Sequence, residues 1–188
     1  MKRFAAIAIL LLALCSCAFA RGQDMALGPD KNAKKDLELL NSRAALLWID
    51  GRKVGNLIVG AKAKMQFELI DDKLARRIYA AQHNFPEPFV KNVGFYDKAK
   101  KQKCALIIMP YSTVTQWDFD PYRITVNGEY IPKNKFYTSL LSKTTGRLYE
   151  FDEDTIAFGI PREIAKPGMT LVFGYDGYSV ELVVPKGR

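Results

Sequence analysis

Between Gly168 and Pro185 the chain reads GMTLVFGYDGYSVELVVP, and its apolar residues fall on alternate positions about an Asp-Gly pair. A two-residue type I′ turn needs φ > 0 at both central positions. Asp-Gly tolerates this, so Asp176-Gly177 predicts a β-hairpin. Folding there sets Tyr175 opposite Tyr178, Phe173 opposite Val180 and Leu171 opposite Leu182, with Val184 ending the row. Side chains alternate across a pleated strand, so this row shares one face, while Thr170, Gly174, Ser179 and Glu181 take the other. One face is oily and the other mostly wet, so the ribbon must cover a core.

The same period recurs upstream. Leu46, Leu47, Trp48 and Ile49 are strand formers, and Asp50-Gly51 is a second hairpin signal with Val54 on the return. Met65, Phe67 and Leu69 alternate with Gln66, Glu68 and Ile70 in a further strand. The stretch DKLARRIYAAQH, residues 72–83, fits a helix through Leu74, Ile78 and Ala81 and a short strand through Ile78-Tyr79-Ala80; among β neighbours it reads as the strand. Pro86 and Pro88 bias the next segment toward extended conformations, which predicts a boundary or crossover running to about Asn92. Ala105 to Met109 is an unbroken apolar run, the mark of a strand covered on both faces. Alternation resumes over Thr113–Phe119 and Tyr122–Val126, and Asn127-Gly128 signals a third turn before Glu129-Tyr130-Ile131. Phe136 to Leu141 fits one more strand or a short helix, Tyr149–Asp154 a loop, and Thr155–Ile160 a strand.

Short strands at this spacing predict a mainly β protein: an antiparallel immunoglobulin-like β-sandwich over 93–188, preceded by a small β unit over 44–92. The alternative is one continuous β domain over 44–188. Residues 156–185 resemble immunoglobulin-like envelope domains of bacterial lipoproteins, which bears on fold alone.

The first twenty residues break the pattern. A basic head, Met1-Lys2-Arg3, precedes an apolar run from Phe4 to Leu14 and then small residues, the order of a cleaved secretory signal peptide. Two processing routes compete. Ala18-Phe19-Ala20 is an A-x-A site that would leave Arg21 first, whereas Leu14-Cys15-Ser16-Cys17 resembles a bacterial lipobox, with Cys17 as the lipidation candidate. On the second route the lipid chains hold the protein on a membrane, since each buried CH₂ contributes about 0.8 kcal/mol. Residues 21–43 begin RGQDMALGPDKNAKKD, polar and without apolar period, and read as a flexible tether with room for a helical turn at Asp36–Leu40. The expected address is therefore the periplasm or a membrane-anchored position outside the cytoplasm.

The run Trp48-Ile49-Asp50-Gly51-Arg52-Lys53-Val54-Gly55 resembles the opening hairpin of PEGA-type modules, small β domains of bacterial envelope proteins, with the likeness covering about residues 45–83. The Pro-Glu-Gly-Ala signature that names the family is absent, and Val59-Gly60-Ala61 stands near its place. The resemblance implies a non-enzymatic accessory module and brings no catalytic residues.

With 48% hydrophobic and 26% charged residues, the balance is that of an ordinary globular chain with enough apolar material for a core. Loss of Lys2 and Arg3 with the leader leaves 26 basic against 20 acidic residues, an excess that suits anionic headgroups, acidic glycans or simple solubility. The run Lys98-Ala99-Lys100-Lys101-Gln102-Lys103 reads as a solvated turn and strand edge. It lacks the interleaved Arg and aromatics of a nucleic-acid surface, so no nucleic-acid partner is expected.

After processing, Cys104 is the only cysteine in the folded part, so no disulfide framework is expected and Cys104 reads as a small buried hydrophobe. His83 is the only histidine and reads as a surface residue. Glu150, Asp152, Glu153 and Asp154 form an acidic knot without EF-hand spacing, read as a solvated turn partly answered by Lys143 and Arg147. Neither a G-x-x-x-x-G-K-[ST] nor a G-x-G-x-x-G occurs. No catalytic, metal or cofactor-binding residue is assigned and no cofactor is expected. The function expected is a non-enzymatic binding or assembly module of the envelope, its partner a protein or glycan. An envelope hydrolase using carboxylates and His83 on glycan or peptide, and a structural spacer, are the alternatives.

Overall fold

In a computed structural model the described residues are 31–186; the leader, Cys17 and tether residues 21–30 lie outside them. The protein is mainly β, with antiparallel sheets. The first sheet has the order β1 (Ala44–Ile49), β4 (Ala63–Ile70), β5 (Cys104–Thr113), β10 (Glu153–Pro161). The central strand β5 holds the unbroken apolar run because both its faces are covered. Ile107 and Met109 enter one core and Leu106 and Ile108 another, all fully buried.

The second sheet has the order β12 (Tyr178–Val183), β11 (Thr170–Tyr175), β7 (Ile124–Val126), β8 (Glu129–Tyr130), and β6 (Trp117–Phe119) pairs with β9 (Gly146–Leu148) as a separate ribbon. Its hairpin closes at Asp176 and Gly177, with φ of 50° and 84°, and pairs Leu171 with Leu182, Phe173 with Val180 and Tyr175 with Tyr178. That is the register read from the alternation. Leu171, Phe173, Tyr175 and Leu182 are buried, and the Phe173 ring stacks on Phe67 of β4 at 4.5 Å, nearly parallel. This stack joins the two sheets across the larger core. Asn127-Gly128 closes β7 onto β8 with φ of 52° and 85°, a type I′ turn as expected.

The other face of the first sheet is covered by helices, and here the structure departs from the sequence expectation. Residues 72–80 are helix α2, preceded by helix α1 (Lys31–Asn41). Asp71 caps α2, its Oδ1 accepting the Leu74 N–H at 2.8 Å, and Leu74, Ala75 and Ile78 face the core. The segment is not the strand predicted, because its apolar positions follow the helical period that a bare sheet face selects. Residues 87–92 are helix α3 rather than an extended crossover. Pro86 precedes it and Pro88 sits in its first turn, where a missing N–H costs nothing. The basic run is likewise not a strand edge: helix α4 (Tyr96–Lys101) places Lys98, Lys100 and Lys101 in its last turn, where cations answer the helix dipole. Residues 31–41 of the expected tether are α1, docked by buried Leu40 and by Asp36, which accepts from Arg77 Nε at 2.5 Å and Asn84 Nδ2 at 2.7 Å.

Residues 44–92 and 93–188 share the first sheet, since β4 pairs with β5 from Ala63↔Thr113 to Ile70↔Leu106. The Asp50-Gly51 corner is not a hairpin turn. Strand β1 pairs with β4, Ile49 opposite Ala63, and between them the chain leaves the sheet as a separate two-stranded arm, β2 (Arg52–Val54) and β3 (Leu57–Val59).

Candidate functional site

The arm turns at Gly55-Asn56. Gly55 has φ +59°, and Gly at the first central position is the signature of a type II′ turn. Pairing sets Val54 opposite Leu57 and Arg52 opposite Val59, so these four share one face, with Lys53 and Ile58 on the other. Val54, Leu57 and Val59 are 60%, 69% and 51% exposed, although each is aliphatic.

The root of the arm is fixed. A Cβ on Gly51 would lie 2.7 Å from Ile58 Cγ2 and 2.9 Å from Trp48 Cβ, so only glycine lets β3 fold back against Trp48. Asp50 pairs with Lys62 at 2.6 Å and accepts a hydrogen bond from the Tyr178 hydroxyl, which ties the root to β12. Lys62 and Tyr178 together hold the Asp50 carboxyl below its ordinary range. Lys64 Nζ lies 6.0 Å over the Trp48 ring. The charged residues on the arm and its return are thus Arg52, Lys53, Lys62 and Lys64, all basic.

A cleft of about 430 Å³ opens on the helix side of the first sheet. Lys64, Gln66, Pro110, Ser112 and Thr155 line it from the strands, and Glu87, Lys91 and Asn92 from α3. Its charges are largely matched: Lys91 pairs with Glu87 at 2.5 Å and Lys143 with Asp154 at 2.8 Å. Burial raises the Asp154 carboxyl, but Lys143 and the backbone N–H groups of Thr144 and Thr155 outweigh it and leave it lowered. Next along β4 from Gln66 stands Glu68, fully buried. Gln66 Nε2 donates to Glu68 Oε2 at 3.2 Å, and Glu68 Oε1 has no partner. Burial pushes the Glu68 carboxyl up to about 8, against the weaker opposing pull of Gln66 and Arg43. The cleft therefore offers amide, hydroxyl and paired charged groups that can hold a polar ligand, while the raised carboxyl of Glu68 is sealed from solvent.

The residues singled out in the sequence do not converge. His83 is exposed on the single turn Gln82–Asn84 and does not line the cleft. In the acidic knot Asp154 binds Lys143 and Asp152 accepts the Tyr149 N–H at 2.7 Å, but Arg147 pairs instead with Asp118. Cys104 is buried, its Sγ 3.4 Å from the Gln102 carbonyl oxygen. Among the described residues no group of three His, Cys, Asp or Glu side chains is placed to hold a metal ion, and no helix is long and apolar enough to cross a membrane. Two features escaped the sequence reading. Alternation sets Glu68 with Gln66 and Ile70 and gives no sign of its burial, although Phe67-Glu68-Leu69-Ile70 sits in a strand covered on both sides. The exposed arm was signalled only by the run Leu57-Ile58-Val59 beside a glycine.

No protein-family model matches the chain, and no curated protein and no solved structure is similar to it.

Proposed function

We propose that this is an exported bacterial envelope protein that acts as a non-enzymatic binding or assembly module and docks a protein partner through the β2–β3 arm. The observation that carries the reading is the arm itself: Val54, Leu57 and Val59 stand in water on one face of a paired ribbon. Burying an aliphatic side chain of this size contributes about 1.5–3 kcal/mol, so three of them form an anchor of useful strength once a partner covers them. A spacer has no use for such a surface, and apolar patches of this kind mark interaction sites. An aliphatic ribbon suits a protein surface better than a glycan, which needs hydrogen-bond donors and aromatic platforms.

The basic-apolar-small order of residues 1–20 supports export, with Cys17 or Arg21 as the first mature residue. The PEGA-type resemblance over about residues 45–83, carried by the run Trp48 to Gly55, also favours an accessory role. We read the two facing sheets as an immunoglobulin-like sandwich with an added helical layer.

The test is site-specific photocrosslinking in the native cells, with the photoreactive residue at Leu57 or, as a control, at exposed Tyr149. A discrete adduct with one envelope protein from position 57 and none from 149 is expected. No adduct, or the same adducts from both positions, refutes docking by the arm. Intact mass of the natively processed protein checks export, and a mass that includes residues 1–16 refutes it.

A further inference from the structure

A second concavity, of about 460 Å³, lies at the end of the first sheet, between the start of α2, one side of α4 and the segment that follows β12. Its apolar lining, the floor of the groove, includes buried Ile70 and Val184 and half-buried Ala105 and Ala165. Its rim carries five cations, Lys73, Arg76, Lys100, Arg162 and Lys166, and two carboxylates. Both carboxylates are already engaged within the protein. Asp71 caps α2 and pairs with Arg43 at 2.7 Å, while Asp72 accepts from Lys100 and Arg162, each at 3.2 Å. No carboxylate pairs with Lys73, Arg76 or Lys166 among the described residues, so the rim presents net positive charge over an apolar floor. Lys73 and Arg76 also line the adjoining hollow beside Lys35, which extends the same field.

We infer that this groove is a binding site for an anionic amphiphile, whose tail lies on the Ala165–Val184 floor and whose phosphate or carboxylate head meets Lys73, Arg76 and Lys166. Each half of the site would be matched by one half of such a ligand. A bare anion leaves the apolar floor wet, and a neutral amphiphile leaves the cations uncompensated. The volume falls in the range of small-molecule sites, about 300–1,000 Å³, which favours a single-chain amphiphile over an extended peptide. This site shares no lining residue with the arm, so the proposal stands independently of the partner docked there.

The probe is dodecyl phosphate below its micellar concentration, titrated calorimetrically into the processed chain that begins at Arg21. Dodecyl maltoside, inorganic phosphate and an acidic-apolar decapeptide serve as comparison ligands. Saturable one-to-one binding of dodecyl phosphate, at least tenfold tighter than any comparison ligand, is expected. The double variant Lys73→Glu/Arg76→Glu weakens it at least tenfold, whereas Lys133→Glu/Lys135→Glu, the same charge change elsewhere, leaves it within threefold. Ala165→Phe, which fills the floor, also weakens it, with far-UV circular dichroism confirming that each variant is folded. Equal binding of inorganic phosphate, of the maltoside or of the peptide overturns the inference. So does an equal loss in both charge-reversal variants, or no binding at all.

Discussion

Replacing Glu68 with Gln should change the pH dependence of stability in a defined direction. Glu68 is fully buried on β4, one of its oxygens has no partner, and its carboxyl is raised from an ordinary 4.5 to about 8. Below pH 4.5 both folded and unfolded chains hold the proton, and the group contributes nothing to the slope. Between 4.5 and about 8 the unfolded chain releases the proton while the folded chain keeps it, so stability falls as pH rises. The slope is about 1.4 kcal/mol per pH unit, which accumulates to about 3 kcal/mol by neutrality and levels off near 5 kcal/mol above the folded pKa. Partial relaxation of the site lowers these ceilings without changing their sign. Glu68→Gln keeps the shape and removes the titration. Its own amide contacts add a constant offset, since Gln66 Nε2 can still donate to the new side-chain carbonyl. The informative quantity is therefore the difference in unfolding free energy between variant and parent, in which every other titrating group cancels. Urea unfolding followed by the fluorescence of Trp48 and Trp117 gives that difference at a series of pH values from 4.5 to 9. It should grow steadily in favour of the variant and then flatten. A difference that does not change with pH would show that Glu68 is ionised in the folded protein or reaches water, and the burial argument would fail.

Three further outcomes follow from the same packing. Asp36→Asn should destabilise by about 2 kcal/mol at neutral pH by weakening the charge-assisted bonds from Arg77 and Asn84. Burial raises the Asp36 carboxyl, but those partners outweigh it and hold it lowered. The parent's advantage is thus present above 3.8 and disappears as pH falls through the folded value, as acid unfolding of both proteins would report. Phe173→Ala, which breaks the stack with Phe67, should cost about 3–5 kcal/mol in urea unfolding, whereas Val183→Ala on the exposed face of the neighbouring strand should stay within about 0.5 kcal/mol. Gly159→Ala drives a Cβ into the Tyr137 hydroxyl and should cost about 1–3 kcal/mol, and adding Tyr137→Phe should recover part of that loss in a double-mutant cycle.

The parts of the fold that were legible in the sequence are those specified by neighbours along the chain. Asp176-Gly177 and Asn127-Gly128 carry their positive φ within two residues, so each hairpin and its register follow from turn chemistry alone. The helical layer is specified elsewhere. Leu74 and Ile78 could stand in a strand or a helix, and what decides between them is the uncovered face of β4 and β5, two strands that start at Ala63 and end at Thr113 with the helices between them. The doubled-proline segment shows the same limit. Pro86 and Pro88 exclude a ladder, yet both are acceptable at a helix start, and only Phe89 and Val93 reaching the Leu106–Ala157 core select that option. The Asp50-Gly51 corner misled for a related reason. Its dihedral preference is real, with Asp50 at φ 58°, but a positive φ sets a bend and not a pairing partner, and β1 finds its partner beyond the arm. Glu68 completes the pattern. Its burial depends on the helices that cover β4, so a reading that missed the helices carries no sign of it. The groove rimmed by Lys73, Arg76 and Lys166 was hidden in the same way, because it draws on the start of α2 and the segment before the final hairpin, which meet only once the helical layer is in place.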